Sequence, residues 1–112
     1  MLIILGESGS GKTTLQKYIC DHTNMTRAIS HTTRPMRNGE VNGIDYYFVN
    51  DNEYIDMLNN NLFCESANYR GWFYSLAKNE IKDNTVFVAT PSGLRRIKKY
   101  TNDYRLDIDI VS

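Results

Sequence analysis

Gly6-Glu7-Ser8-Gly9-Ser10-Gly11-Lys12-Thr13 follows directly on the apolar run Leu2-Ile3-Ile4-Leu5 and fills the pattern G-x-x-x-x-G-K-[ST]. The run reads as a strand buried on both faces, and the residues after Gly11 read as a helix. In that strand-then-helix context the glycines let the backbone wrap a phosphate with its N–H groups pointing inward. The helix start adds the positive end of its dipole. Lys12 supplies a charge for β- and γ-phosphates, and the Thr13 hydroxyl is a ligand for Mg²⁺. The stretch therefore points to a nucleoside triphosphate.

Length and composition narrow the rest. At 112 residues and 13.0 kDa the chain has material for one domain with a single core. Thirteen Lys and Arg balance thirteen Asp and Glu, so the overall charge favours neither nucleic acid nor an anionic membrane as partner, and any anion site is local. Met1 leads straight into the first strand, which leaves no signal peptide, and no apolar run reaches membrane-spanning length; the expectation is a cytoplasmic protein. Cys20 and Cys64 lack metal-ligand spacing and read as reduced structural thiols, while His22 and His31 stand isolated.

Further along, Leu15, Tyr18 and Ile19 recur at helical spacing, and Asp21–Asn24 should end that helix. Residues 30–43 are polar and hold two turn pairs, Asn38-Gly39 and Asn42-Gly43. Residues 44–49 read as a strand. Asn50 with Glu53 forms a capping-box pattern that opens a helix through Ile55 and Leu58. Residues 62–74 alternate unevenly, and 75–81 suggest a short helix. Residues 85–89 are a second buried-type strand, followed by Thr90 as N-cap and Pro91 in the first helical position. That helix turns Leu94 and Ile97 inward and Arg95, Arg96, Lys98 and Lys99 outward. Leu106, Ile108 and Ile110 alternate with Asp107 and Asp109 as a strand with one wet face. The order predicts an α/β fold: a P-loop nucleoside triphosphate hydrolase-type parallel sheet flanked by helices, with a small insertion between its first two core strands.

The insertion carries Ser30-His31-Thr32-Thr33-Arg34-Pro35-Met36-Arg37 and then Gly39-Glu40-Val41-Asn42-Gly43-Ile44-Asp45-Tyr46-Tyr47-Phe48. Here the sequence resembles the guanylate kinase family, whose nucleotide-binding region has the order S-x-T-T-R-x-x-R, G-E-x-x-G-x-D-Y-x-F. Phe63-Cys64-Glu65-Ser66-Ala67 and the later Tyr74 look like that family's F-x-E-x-A segment and its following tyrosine. The resemblance implies that Ser30, Arg34, Arg37, Tyr46 and Tyr74 hold the phosphate of GMP, and that Glu65 accepts hydrogen bonds from the guanine edge. It implies that Gly6, Ser8, Gly9, Ser10, Gly11, Lys12, Thr13 and Thr14 hold ATP. It further divides the chain into a phosphate-loop core (1–29), a GMP-binding region (30–80) and a continuation of the core (81–112).

The residue chemistry agrees. Two guanidiniums around a proline can clamp a dianionic phosphate by paired charge-assisted hydrogen bonds. A carboxylate suits guanine, whose N1–H and amine are adjacent donors, whereas adenine presents an acceptor at N1. The pattern departs from the family at three places. Leu76 stands where a small hydroxyl residue follows the tyrosine, with Ser75 beside it as a substitute. Residues 85–93 carry no carboxylate where the family's strand has acidic residues, which leaves Thr90 or Ser92 to reach the base or ribose. The family also continues into an arginine-bearing lid, which the sequence stops short of at Ser112. Such arginines contribute about 10³ to 10⁵ in rate, so these 112 residues are expected to bind both nucleotides yet turn over at least about a thousandfold slower than a complete relative.

The reading is thus a nucleoside monophosphate kinase that uses ATP and Mg²⁺ to convert GMP or dGMP to the diphosphate, with Lys12, Arg34 and Arg37 as its catalytic groups. Its partners are small nucleotides rather than nucleic acid or membrane. Two rivals stand beside it: a kinase for another small phosphorylated acceptor, and a non-catalytic module that receives a phosphopeptide in the Arg34/Arg37/Tyr46 pocket. The second has no use for Lys12 and Thr13.

Overall fold

The computed structural model describes residues 1–6 and 11–111, and these fall into two compact units, one within the ranges Met1–Ala28 and Ile81–Ser112, the other Ile29–Glu80. In the first unit, β1 (Leu2–Leu5), β2 (Thr26–Arg27), β7 (Thr85–Ala89) and β8 (Asp109–Val111) form a parallel sheet in the order β2-β7-β1-β8. Helices α1 (Lys12–His22) and α3 (Pro91–Asp103) pack on it. Ile3 is fully buried, as are Val86 and Ile97, each burial worth about 1.5–3 kcal/mol. The Thr90 hydroxyl accepts from Gly93 N at 3.2 Å and so caps α3, with Pro91 in the first turn as expected.

Two features of this unit differ from the sequence expectation. Leu15 and Tyr18 are exposed, and the buried position of α1 is Gln16, whose amide donates to Val86 O at 3.4 Å. Tyr18 instead stacks on His22 at the surface, ring centroids 4.0 Å apart. The last strand is shorter than the alternation of residues 106–110 suggests: only Asp109–Val111 pairs with β1, after Arg105 has turned the chain at φ 55°.

The second unit is a mixed sheet in the order β4-β3-β6-β5, made of β3 (His31–Thr32), β4 (Tyr47–Phe48), β5 (Phe63–Tyr69) and β6 (Trp72–Ala77). Helix α2 (Asp51–Asn59) packs its Tyr54 into the core, stacked on Phe63 at 5.3 Å and on Phe73 at 5.1 Å. The capping box forms: Asn50 Oδ1 accepts from Glu53 N at 2.8 Å, and Glu53 Oε1 accepts from Asn50 N at 3.0 Å. The Glu80 carboxylate accepts from Ile29 N at 2.7 Å, tying the last residue of the unit to its first.

Here the expected strand over 44–49 shrinks to Tyr47–Phe48, because residues 41–46 fold into a compact turn. Gly43 sits at φ 84°, Val41 O accepts from Ile44 N and Asp45 N, and the Asn42 side chain accepts from Phe48 N at 2.8 Å. The expected helix over 75–81 is also corrected. Ser75–Ala77 belongs to β6, paired antiparallel with β5, and only Lys78–Glu80 makes one 3₁₀ turn. No helix among the described residues is long and apolar enough to cross a membrane.

Candidate functional site

Two threonines fix where Arg34 emerges from β3. The Thr32 hydroxyl donates to Phe73 O at 2.8 Å and accepts from Arg34 N at 3.1 Å. The Thr33 hydroxyl accepts from Phe73 N at 3.0 Å. Both threonines are buried, so the segment is sewn to β6 just before the arginine. Arg34 is itself buried, 7% exposed, with its guanidinium 5.3 Å from the Tyr46 ring and 5.8 Å from the Phe48 ring.

Its charge is met by Glu40. The two terminal nitrogens of Arg34 donate to the two carboxylate oxygens of Glu40, each at 2.9 Å, and one of them also donates to Pro35 O at 3.1 Å. A turn closed by Glu40 N donating to Arg37 O brings the carboxylate back, with Gly39 at φ 85° where a side chain would be strained. Glu40 also accepts from Arg37 N at 2.7 Å. The Arg34 hydrogen bonds, then that backbone N–H, hold the Glu40 carboxyl down at about 2. The same pair of bonds raises Arg34 further above its already high value, against the effect of burial, with Tyr74 adding to the rise.

Beside Arg34 lies an open pocket of about 270 Å³. Its cations are Arg34, Arg37 and Arg70; its aromatic walls are Tyr46, Tyr74, Tyr69 and Trp72. Tyr46 and Tyr74 meet edge to face at 5.7 Å. The structure thus brings together four of the residues singled out from sequence, Arg34, Arg37, Tyr46 and Tyr74. Ser30 and Glu65 do not line this pocket. Ser30 immediately precedes β3, its carbonyl accepting from Tyr47 N at 2.9 Å. Glu65 is buried on β5 opposite Leu76, on the same sheet face as Tyr74, whose partner Ala67 lies two residues on.

Ser75 cannot stand in for the missing hydroxyl at Leu76. It pairs with Ser66 on the opposite face, and its buried hydroxyl is engaged there with Tyr54 Oη at 2.7 Å and Ser66 Oγ at 2.8 Å. Thr90 is likewise engaged, in capping α3 and in a 3.2 Å contact with Ser92 Oγ. Sequence reasoning missed Tyr69, Arg70 and Trp72. The signal was an X-Gly pair between aromatic residues, Arg70-Gly71, which marks a two-residue hairpin and puts Arg70 at its tip.

In the other unit, Gly6 follows β1, and Ser8, Gly9 and Ser10 lie outside the described residues. Gly11 stands at the start of α1 with φ 81° and gives the helix no side-chain cap; Lys12, Thr13 and Thr14 form the first turn, which has no acidic residue. The Lys12 ammonium donates to Gly6 O. Helix-start N–H groups with no side-chain cap among the described residues, a glycine backbone, an ammonium and two hydroxyls make a donor set suited to a phosphate chain and a hard cation.

The sequence model of the family described as Guanylate kinase matches residues 1–110. A guanylate kinase of Ehrlichia canis (strain Jake) is 40% identical over 86 residues, covering 75% of this chain and 41% of that protein. One of Helicobacter hepaticus is 34% identical over 119 residues, covering 100% of this chain and 60% of that protein. The crystal structure of guanylate kinase from Anaplasma phagocytophilum superposes with a TM-score of 0.66 at 28% identity, covering 98% of this chain and 57% of that one. The chain therefore spans about half the length of the relatives it matches.

Proposed function

The chain belongs to the guanylate kinase family, and we propose that its activity is transfer of the γ-phosphoryl group of ATP to the 5′-phosphate of GMP or dGMP. The observation that carries this reading is the pocket in which Arg34, Arg37, Tyr46 and Tyr74 converge, with Glu65 on the same sheet face as Tyr74. An aromatic-walled pocket rich in guanidinium suits a phosphomonoester. The buried Glu65 carboxylate suits the paired donors of guanine, and Ser30 would complete the phosphate contacts.

Gly6, Gly11, Lys12, Thr13 and Thr14, with Ser8, Gly9 and Ser10 of the same loop, would hold the triphosphate. Lys12 meets the β- and γ-phosphates, and the Thr13 hydroxyl is the protein's ligand to Mg²⁺. When bound there, the ion would supply positive charge against the charge that gathers on the phosphates. The acceptor is already an anion, so the reaction needs no general base. Lys12, Arg34 and Arg37 act by positioning and charge neutralisation.

Calorimetric titration with ATP–Mg²⁺ and with GMP on the wild type, Lys12→Ala and Arg37→Ala tests the division of labour. Lys12→Ala should lose ATP and keep GMP, and Arg37→Ala should do the reverse. Wild-type ATP affinity in Lys12→Ala would remove the phosphate-loop assignment. An ADP-release assay with ATP, Mg²⁺ and GMP then reads turnover.

A further inference from the structure

The β5–β6 hairpin turns on two residues, Arg70 and Gly71, between the paired Tyr69 and Trp72. Both turn residues have positive φ, 53° at Arg70 and 84° at Gly71, the backbone of a type I′ turn. Gly fits its position without steric cost. Arginine does not, because the left-handed region is disfavoured for a side chain with Cβ, and the residues that tolerate the first position best are Asn, Asp and Gly. The left-handed backbone alone demands no function, since Arg105 adopts it too at φ 55°, but an arginine at a hairpin position that prefers asparagine invites a reason outside the turn.

That reason lies in the pocket. The Arg70 guanidinium is held 5.2 Å from the ring of Tyr69, and both residues line the cavity together with Arg37. Glu40 already occupies Arg34 with two hydrogen bonds. Three guanidiniums against one carboxylate leave two positive charges in the pocket, the charge of one fully ionised phosphomonoester with its sign reversed. Neither Arg37 nor Arg70 forms an ion pair among the described residues. We propose that Arg70 is a third phosphate-gripping arginine of this pocket, and that with Arg37 it supplies the two charges Glu40 leaves over, selecting a dianionic phosphomonoester over its uncharged nucleoside. The inference rests on reading the pocket as the site of the GMP phosphate. Tyr69 is the positioning residue, since its ring carries the guanidinium.

Calorimetry with GMP and with guanosine on the full chain, in wild-type, Arg70→Asn and Arg70→Lys forms, tests this, with Tm measured on each. Asparagine suits the turn better than arginine, so a purely structural role predicts an Arg70→Asn protein that is at least as stable and binds as before. The proposal predicts the same stability with GMP bound about ten-fold more weakly, guanosine binding unchanged, and part of the loss recovered in Arg70→Lys. Wild-type GMP affinity in Arg70→Asn overturns the proposal alone. Equal weakening of GMP and guanosine also overturns it, by tracing the loss to the shape of the turn. A wild-type chain that binds GMP no more tightly than guanosine overturns the phosphate-site reading, and this inference with it.

Discussion

Arg34 and Glu40 face each other fork to fork, two hydrogen bonds of 2.9 Å joining a buried guanidinium to a carboxylate six residues on. The pair explains why an arginine in this unit can be buried at all. Desolvating a guanidinium is costly unless a partner meets it with good geometry, and here the partner is delivered by the turn at Gly39. The guanidinium is thereby held against Tyr46 and Phe48.

Replacing Glu40 by Gln leaves that buried charge without its counter-ion. The variant should melt several degrees lower than the wild type, and saturating GMP should raise its Tm by more than it raises the wild type's, because the phosphate then supplies the missing negative charge. Thermal melts with and without GMP check this. An equal increment in both proteins would show that Arg34 does not sense the phosphate.

The pair also makes an acid prediction. The Glu40 carboxyl is depressed from 4.5 to about 2, so its contribution to stability is complete above about 4.5 and is lost as pH falls towards 2, where the folded chain takes the proton as well. The stability difference between wild type and Glu40→Gln should therefore shrink steadily from pH 4.5 to pH 2. Urea titrations across that window measure it, and a constant difference would contradict the assignment.

His31 predicts a second window. Burial pushes its imidazole below the ordinary 6.5, with Glu80 opposing, and Nδ1 is buried without a hydrogen-bond partner among the described residues, beside Tyr47 and Phe63. Below pH 6.5 the unfolded chain takes up a proton more readily than the folded one, so stability falls as pH drops through that value. His31→Phe should remove this slope between pH 7 and pH 5 while changing stability little at pH 8. A slope unchanged in the variant would show that another group titrates.

Tyr54→Phe removes the hydroxyl shared with Ser75 and Ser66 while leaving the ring stacking and the Ser66–Ser75 contact in place. The expected cost is about 1 kcal/mol, read by urea denaturation. A neutral or stabilising effect would contradict the view that the hydroxyl cluster fixes the β5–β6 pair against α2.

Much of this was legible in the sequence, for physical reasons that differ from element to element. The core strands are continuous apolar runs, and the caps at Asn50 and Thr90 are local hydrogen-bond patterns, so both survive folding as read. The face of α1 was not legible, because Gln16 is buried by a hydrogen bond to a carbonyl 70 residues away, which no periodicity encodes. The β5–β6 hairpin was hidden by a bulge between Phe63 and Glu65 that breaks the alternation. With the hairpin went its tip, so the place of Arg70 in the pocket was not legible, whereas Arg34, Arg37, Tyr46 and Tyr74 stand in motifs that were. The role of Thr32 and Thr33 in anchoring Arg34, and of Glu40 in pairing with it, required the three-dimensional partners.

The most direct test of the account is guanine selectivity. Calorimetric titration of the wild type with GMP and with AMP should give tighter binding of GMP, because on the proposed reading the buried Glu65 carboxylate would meet two donors on guanine and an acceptor on adenine. In Glu65→Gln the amide places a donor where guanine also presents donors, and the gap should narrow by about 1–3 kcal/mol. Equal affinity of the wild type for GMP and AMP would contradict the account and leave a kinase for a different phosphorylated acceptor as the better reading.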